Sequence, residues 1–222
     1  MKPNLNLKCC DCMELMARYS DNHFDLAIVD PPYGGGGDKT IEGGKRFGGI
    51  FKKYKVSRDG GSWSKKYNKK ILNWDYAPDQ LYFDELFRVS KNQIIWGGNY
   101  FSLPPNRCFL IWRKLTISEN FSMAMAEYAW SSFNQNSKWI ELPPQDTNRF
   151  HPTQKPVKLY SWILQNYAKE GDKILDTHLG SGSIAIACHD LKYDLTGCEI
   201  DKDYFSSMLE RVKIHQSQLS LF

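Results

Sequence analysis

Residues 24–29 of this 222-residue chain read FDLAIV, a nearly unbroken apolar run that stops on Asp30. A strand with one wet face alternates polar and apolar residues. A continuous run is the pattern of a strand covered on both faces, as in a parallel sheet flanked by helices. This feature restricts the chain to layered α/β architectures. Further strands are expected at Leu5–Cys10, Gln93–Gly97, Cys108–Trp112, Glu127–Phe133, Asp172–Leu175 and Asp194–Cys198. Helices are expected over Met13–Tyr19, from Pro78 to Val89, and over Val157–Ala168, Ile184–Leu191 and Lys202–Gln216. The length suits one well-cored domain rather than two. Alternating strands and helices then give a doubly wound fold, a mostly parallel twisted sheet with helices on both faces.

The strand ends carry the chemistry. KILD at 173–176 opens into THLGSGS, where Gly180 and Gly182 flank Ser181. Glycine lets the chain turn tightly and approach a ligand, and the following helix presents its free N–H groups. DLTGC at 194–198 runs into Glu199, about 20 residues beyond the loop, where an acid can accept hydrogen bonds from ribose hydroxyls. Together these elements specify an adenosine-type ligand. Asp176 would repel a pyrophosphate but attract an ammonium. A ligand with adenosine at one end and an amino acid at the other satisfies both acids, and S-adenosyl-L-methionine is such a molecule.

The corner Asp30-Pro31-Pro32-Tyr33 suits reaction at an exocyclic amine, whose lone pair is delocalised into its ring. Asp30 and the Pro31 carbonyl can accept the two N–H groups and expose that lone pair. The prolines fix φ, so the carbonyl is held before substrate arrives. Tyr33 offers a flat face on which an extruded base can stack. The transfer is then an in-line displacement governed by positioning.

D-P-P-Y at 30–33, H-P-T-Q-K-P at 151–156 and D-x-x-x-G-S-G at 176–182 resemble motifs of the DNA amino-methyltransferases, particularly the N6-adenine type. The wider text, with NWD at 73–75 and ELFRVSKNQIIWGGNYF at 85–101, is similar to the small methylases of bacteriophages and prophages. The resemblance implies a Rossmann-like S-adenosylmethionine-dependent fold. It also implies the circularly permuted β-group order, because the catalytic corner precedes the cofactor loop. In that order a target-recognition region lies between the halves. By the same resemblance Asp11 and Cys12 flank the cofactor's adenine, and Thr153 lines its methionine end. His178 stands where many relatives carry an aromatic residue, and His151 shapes its loop.

Between Lys39 and Lys70 eleven basic residues face two acids, so this segment carries +9 against a net +4 for the chain. Such a segment is the footprint of a surface that meets polyphosphate, or of a solvated loop. Lys45, Arg46, Lys52, Lys53, Lys55, Arg58, Lys65 and Lys66 are the expected phosphate contacts to double-stranded DNA. The expected organisation is one methyltransferase domain over 1–222, with a basic DNA-contacting loop at 34–73 and a small target-recognition insert at about 114–148. No metal is expected. The six cysteines offer no second C-x-x-C to pair with the spacing of Cys9 and Cys12, and read as reduced thiols of a cytoplasmic protein. No apolar run reaches the roughly 20 residues of a membrane span, and MKPNLNLKCCDC lacks a signal-peptide core. A homodimer is compatible with so short an insert, and the sequence names no restriction endonuclease partner. The competing readings are an N4-cytosine methyltransferase, a nucleic-acid-binding module with a vestigial cofactor pocket, and a nicotinamide-dependent oxidoreductase.

Overall fold

A computed structural model describes residues 2–33, 77–120, 124–144, 150–151 and 153–218. The chain divides into two compact units, Met1–Pro31 with Pro78–Phe222, and Pro32–Ala77. Every helix and strand described below belongs to the first. The candidate DNA contacts from Lys45 to Lys66 lie outside the described residues.

The first unit contains strands β1 (Leu5–Lys8), β2 (Phe24–Val29), β3 (Ser90–Trp96), β4 (Phe109–Lys114), β5 (Ala126–Ser131), β6 (Lys138–Leu142), β7 (Lys173–Asp176) and β8 (Asp194–Cys198). Its helices are α1 (Cys12–Met16), α2 (Gln80–Val89), α3 (Val157–Tyr167), α4 (Ser183–Leu191) and α5 (Lys202–Ser217). The strands form one eight-stranded sheet in the order β1-β8-β7-β2-β3-β5-β4-β6. Only β5 runs antiparallel to its neighbours, β3 and β4. The chain is therefore a mixed α/β protein with a Rossmann-like, mostly parallel sheet.

The apolar run at β2 does what its composition requires. Leu26 and Ile28 join one buried cluster with Ile94, Trp96 and Ile174, covered by Leu159 and Ile163 of α3, Ile184 of α4 and Met208 of α5. Ala27 and Val29 point the other way, into a cluster with Ile95, Leu175, Leu15 of α1 and Leu86 of α2. Alternate residues of one strand thus feed two cores. Each fully buried aliphatic side chain contributes about 1.5–3 kcal/mol before entropy is counted.

The differences from expectation have local causes. β1 ends at Lys8 rather than Cys10, because Asp11 caps α1 by accepting from the Met13 and Glu14 amides at 2.7 and 3.3 Å. An N-cap needs the chain to leave the strand before it. α1 itself stops at Met16, short of Tyr19. The interval 114–148 holds an additional strand, β6, paired in parallel with β4 from Leu110↔Lys138 to Lys114↔Leu142. KWIEL mixes charge with apolar residues because β6 is an edge strand, and its Trp139 is 63 % exposed.

Candidate active site

Parallel strands place their C-terminal ends on one edge, and there the chemistry collects. β1, β8, β7 and β2 are consecutive in the sheet. Chain continuity sets Asp11 three residues beyond β1, Glu199 just beyond β8, Asp176 at the end of β7 and Asp30 just beyond β2. In open α/β sheets ligands bind in the crevice outside these strand ends. β2 and β7 pair directly, Leu26↔Ile174 and Ala27↔Leu175, at the usual spacing of about 4.8 Å. Asp30 and Asp176 therefore share one crevice. Asp30, Pro31, Asp176, Gly180, Ser181, Gly182 and Glu199 all belong to this rim. Pro32 and Tyr33 fall in the second unit.

The glycine loop is shaped by backbone needs. Gly180 and Gly182 have φ of +49° and +72°, in the left-handed region that side-chain-bearing residues avoid. A Cβ on Gly182 would stand 2.4 Å from Met208 Cγ, so this glycine also lets α5 pack against the loop. Gly182 is the N-cap of α4. Glu199 braces the loop from the next strand. Its Oε2 accepts from the Gly180 amide and its Oε1 from the Asp201 amide, each at 2.9 Å. Each oxygen retains a second lone pair for a ligand hydroxyl. Burial raises the Glu199 carboxyl above the usual carboxylate range.

Asp176 is buried at 2 % exposure, and its Oδ1 accepts from the His178 amide at 2.9 Å. It makes no ion pair among the described residues. Burial, with the charges of Asp30 and Glu199 behind it, pushes its pKa up to about 8. A carboxyl so placed fits a cationic ligand group, which would restore its charge. Beside it His178 is held neutral, its pKa lowered to about 4 by burial. The imidazole Nδ1 lies 2.9 Å from Thr177 Oγ1, which lies 2.7 Å from the Tyr82 hydroxyl of α2. The Tyr82 and His178 rings meet edge-on at 5.6 Å. Cys12 begins α1, half-buried, with its thiol pKa raised to about 11 by burial and by Asp11.

The HPTQKP loop reaches both sides of the crevice. His151 is buried and packs against Tyr204 of α5, with ring centroids 4.4 Å apart. It also borders Gly180, where an added Cβ would lie 3.4 Å from the imidazole Cε1. Thr153 is exposed, and its hydroxyl is 3.2 Å from His151 Nδ1. Two residues on, Lys155 is buried and pairs with Asp30 Oδ2. Its Nζ is 3.2 Å from Glu127 Oε2, and Lys114 Nζ is 2.6 Å from Glu127 Oε1. Lys155 also stands over the Trp96 ring at 5.3 Å.

Sequence reasoning missed this ionic chain. In sequence, Lys155 reads only as part of a motif, Glu127 as a strand residue and Lys114 as the start of the insert. The available signal was charge in otherwise apolar strands, AEYAWS and FLIWRK. A charge whose strand is buried has to find a partner.

Residues 95–210 match the N6/N4 family described as DNA methylase. The chain belongs to the DNA methylase family. The methylase's cofactor is S-adenosyl-L-methionine. The methylase is 25% identical over 234 residues to the Type II methyltransferase M.HpaI of Haemophilus parainfluenzae, covering 93% of this chain and 73% of that one. The M1.HpyAVI–SAM complex shares its fold with a TM-score of 0.54 at 20% identity, over 93% of this chain and 99% of that one. The PvuII DNA methyltransferase, cytosine-N4-specific, gives a TM-score of 0.60 at 13% identity, over 96% and 93%. As a DNA methylase, it acts on double-stranded DNA. No helix among its described residues is long and apolar enough to cross a membrane.

Proposed function

We propose that this methylase transfers the methyl group of S-adenosylmethionine to the exocyclic N6 of adenine at a specific site in double-stranded DNA. The observation that carries the reading is the shared crevice of Asp30 and the buried Asp176 at the paired ends of β2 and β7. The cofactor supplies an electrophilic methyl group on a sulfonium. Asp176 receives its ammonium, Glu199 its ribose hydroxyls, and the Gly180-Ser181-Gly182 backbone allows close approach. Asp11 and Cys12 lie toward the adenine and Thr153 toward the methionine end, with His178 in place of an aromatic contact to the cofactor. Asp30 and the Pro31 carbonyl accept the two N–H groups of the target amine, while Pro32 keeps the turn rigid and Tyr33 stacks on the extruded base. As the nitrogen bonds the methyl carbon, the carbon–sulfur bond breaks. One amine proton leaves to Asp30 or to water.

Aspartate at the first position of DPPY favours adenine, because cytosine enzymes more often carry serine there. DPPY after β2 precedes the glycine loop after β7, which supports the β-group, circularly permuted order. Within that order we read residues 34–73 as the DNA-contacting loop and residues 114–148 as the target-recognition insert. The likeness to Type II methyltransferases supports a restriction-modification role, and the sequence text supports kinship with phage and prophage methylases. A cytoplasmic location and a homodimer belong to the same reading. The test is to digest DNA methylated by the protein to nucleosides and identify the modified one. N6-methyldeoxyadenosine is expected; N4-methyldeoxycytidine alone would move the assignment to cytosine, and no modified nucleoside would favour the vestigial reading.

A further inference from the structure

Lys155 is the most enclosed cation among the described residues, with a side chain 4 % exposed, and the chemistry above makes no use of it. Burying an ammonium costs several kcal/mol unless opposite charges and hydrogen bonds compensate it. Here two carboxylates, Asp30 and Glu127, and the face of Trp96 surround it. Those two charges overcome the desolvation that burial imposes, so Lys155 stays ionised with its pKa raised. Lys114 closes the chain on the far side of Glu127. Among the described residues the set holds two carboxylates and two ammonium groups. Such a network contributes little to net stability compared with apolar packing. Its evident product is geometry.

That geometry is anchored at both ends. Glu127 and Lys114 sit on β5 and β4, which pair directly as Trp112↔Glu127 and Arg113↔Ala126. Lys155 precedes Pro156, whose fixed backbone opens α3 and accepts from the Leu159 amide at 3.1 Å. The ammonium therefore comes from a rigid segment and reaches Asp30 across 125 residues of sequence. It binds one named oxygen, Oδ2, and so fixes the rotation of that carboxylate. Resting on the assignment of Asp30 as acceptor of the target amine, we propose that Lys155 is a positioning residue for methyl transfer. Clamped between Asp30 and Glu127, it holds the Asp30 carboxylate in its receiving orientation, and Glu127 with Lys114 sets where Lys155 stands. A carboxylate misplaced by about 1 Å costs on the order of 10²-fold in rate.

The test uses the full-length protein with S-adenosylmethionine and DNA carrying its methylation site. Lys155→Met should lower single-turnover methyl transfer about 10²-fold while KM for cofactor and for DNA changes only a few-fold. Lys155→Arg should recover part of that loss, because it restores a cation to Asp30. Glu127→Gln should cost about tenfold, and adding it to Lys155→Met should cost nothing further, since Glu127 acts through the lysine. A pH–rate profile separates positioning from simple support of the fold. Facing Asp30 are Lys155, Asp176 at the end of β7, Tyr160 of α3, Glu127 of β5 and Lys114 beyond it. Removing Lys155 takes the cation from Asp30 Oδ2 while Lys114 stays on Glu127, so the acid limb of the rate should move to higher pH. Lys155→Met turning over within about threefold of wild type, or slower with an unmoved acid limb, would overturn the proposal. If Lys155→Met does not fold by circular dichroism, Glu127→Gln decides: a wild-type rate and profile would then overturn it. Asp30→Ala run alongside separates the two failures. An inactive Asp30→Ala with a normal Lys155→Met sinks only the lysine assignment, whereas an active Asp30→Ala sinks the reading on which it rests.

Discussion

On the side of the crevice that we assign to the cofactor, acids are held by the main chain. Asp176 accepts from the His178 amide, Glu199 from the Gly180 and Asp201 amides, and Asp11 from the Met13 and Glu14 amides. On the side that we assign to the target, Asp30 pairs with Lys155, which in turn meets Glu127 and, beyond it, Lys114. In the proposed reading, the difference follows from what each side receives. S-adenosylmethionine brings its own cationic groups, so the proposed pocket keeps acids that no cation pairs among the described residues. A target amine is neutral, and the acid that receives it needs its counter-charge built into the protein. Backbone anchoring leaves Asp176 waiting for a charge; ionic anchoring leaves Asp30 already compensated.

Replacing Asp30 should break the target side alone. Asp30→Ala is expected to lower methyl transfer by at least about 10³-fold, with cofactor affinity by calorimetry within a few-fold of wild type. Equal loss of both would mean that the two sides are not separable. Gly182→Ala strikes the cofactor side through its backbone. A positive φ and a 2.4 Å approach to Met208 should together cost about 2–4 kcal/mol of stability, read as a lowered denaturation midpoint. An unchanged midpoint would show that the loop relaxes around the new methyl group.

Asp176 gives the comparison its pH dependence. Its folded-state pKa, about 8, stands above the ordinary 3.8. The folded protein therefore binds more protons than the unfolded chain between those values, and this residue's contribution to stability falls as pH rises through them. Cofactor binding runs the other way, since the ammonium prefers the carboxylate. Affinity should tighten from pH 6 to 8, approaching tenfold per unit at the acid end. Asp176→Asn should weaken binding about 10- to 100-fold, flatten this dependence and raise the melting temperature of the cofactor-free protein at pH 8. A pH-independent affinity in the wild type would place the ammonium elsewhere. The smallest effect is expected from Glu199→Gln, about tenfold in cofactor affinity, because its one oxygen can still accept from one of the Gly180 and Asp201 amides while its Nε2 faces the other. A loss matching that of Asp176→Asn would give Glu199 more than a hydroxyl-binding role.

The strands were readable from sequence where both faces are buried. FDLAIV and DLTGC have the boundaries their composition suggests, and the glycines of the loop lie where left-handed backbone is needed. KWIEL was not readable, because an edge strand with an exposed Trp139 satisfies no single pattern. The acids at strand ends were legible one by one, since chain continuity fixes each to its strand. The lysine network was not. Asp30, Lys155, Glu127 and Lys114 come from four segments, and only the pairing of β4 with β5 and the start of α3 brings their side chains together. Local pattern reports what a residue needs, not which distant residue supplies it.

The most direct measurement is a crystal structure of the protein with S-adenosylmethionine bound. The account places the cofactor's ammonium on the Asp176 carboxylate, its ribose hydroxyls on Glu199, and its methyl group facing Asp30 across the crevice between β7 and β2. A cofactor whose amino-acid end lies away from Asp176, or whose methyl group points away from Asp30, would contradict it.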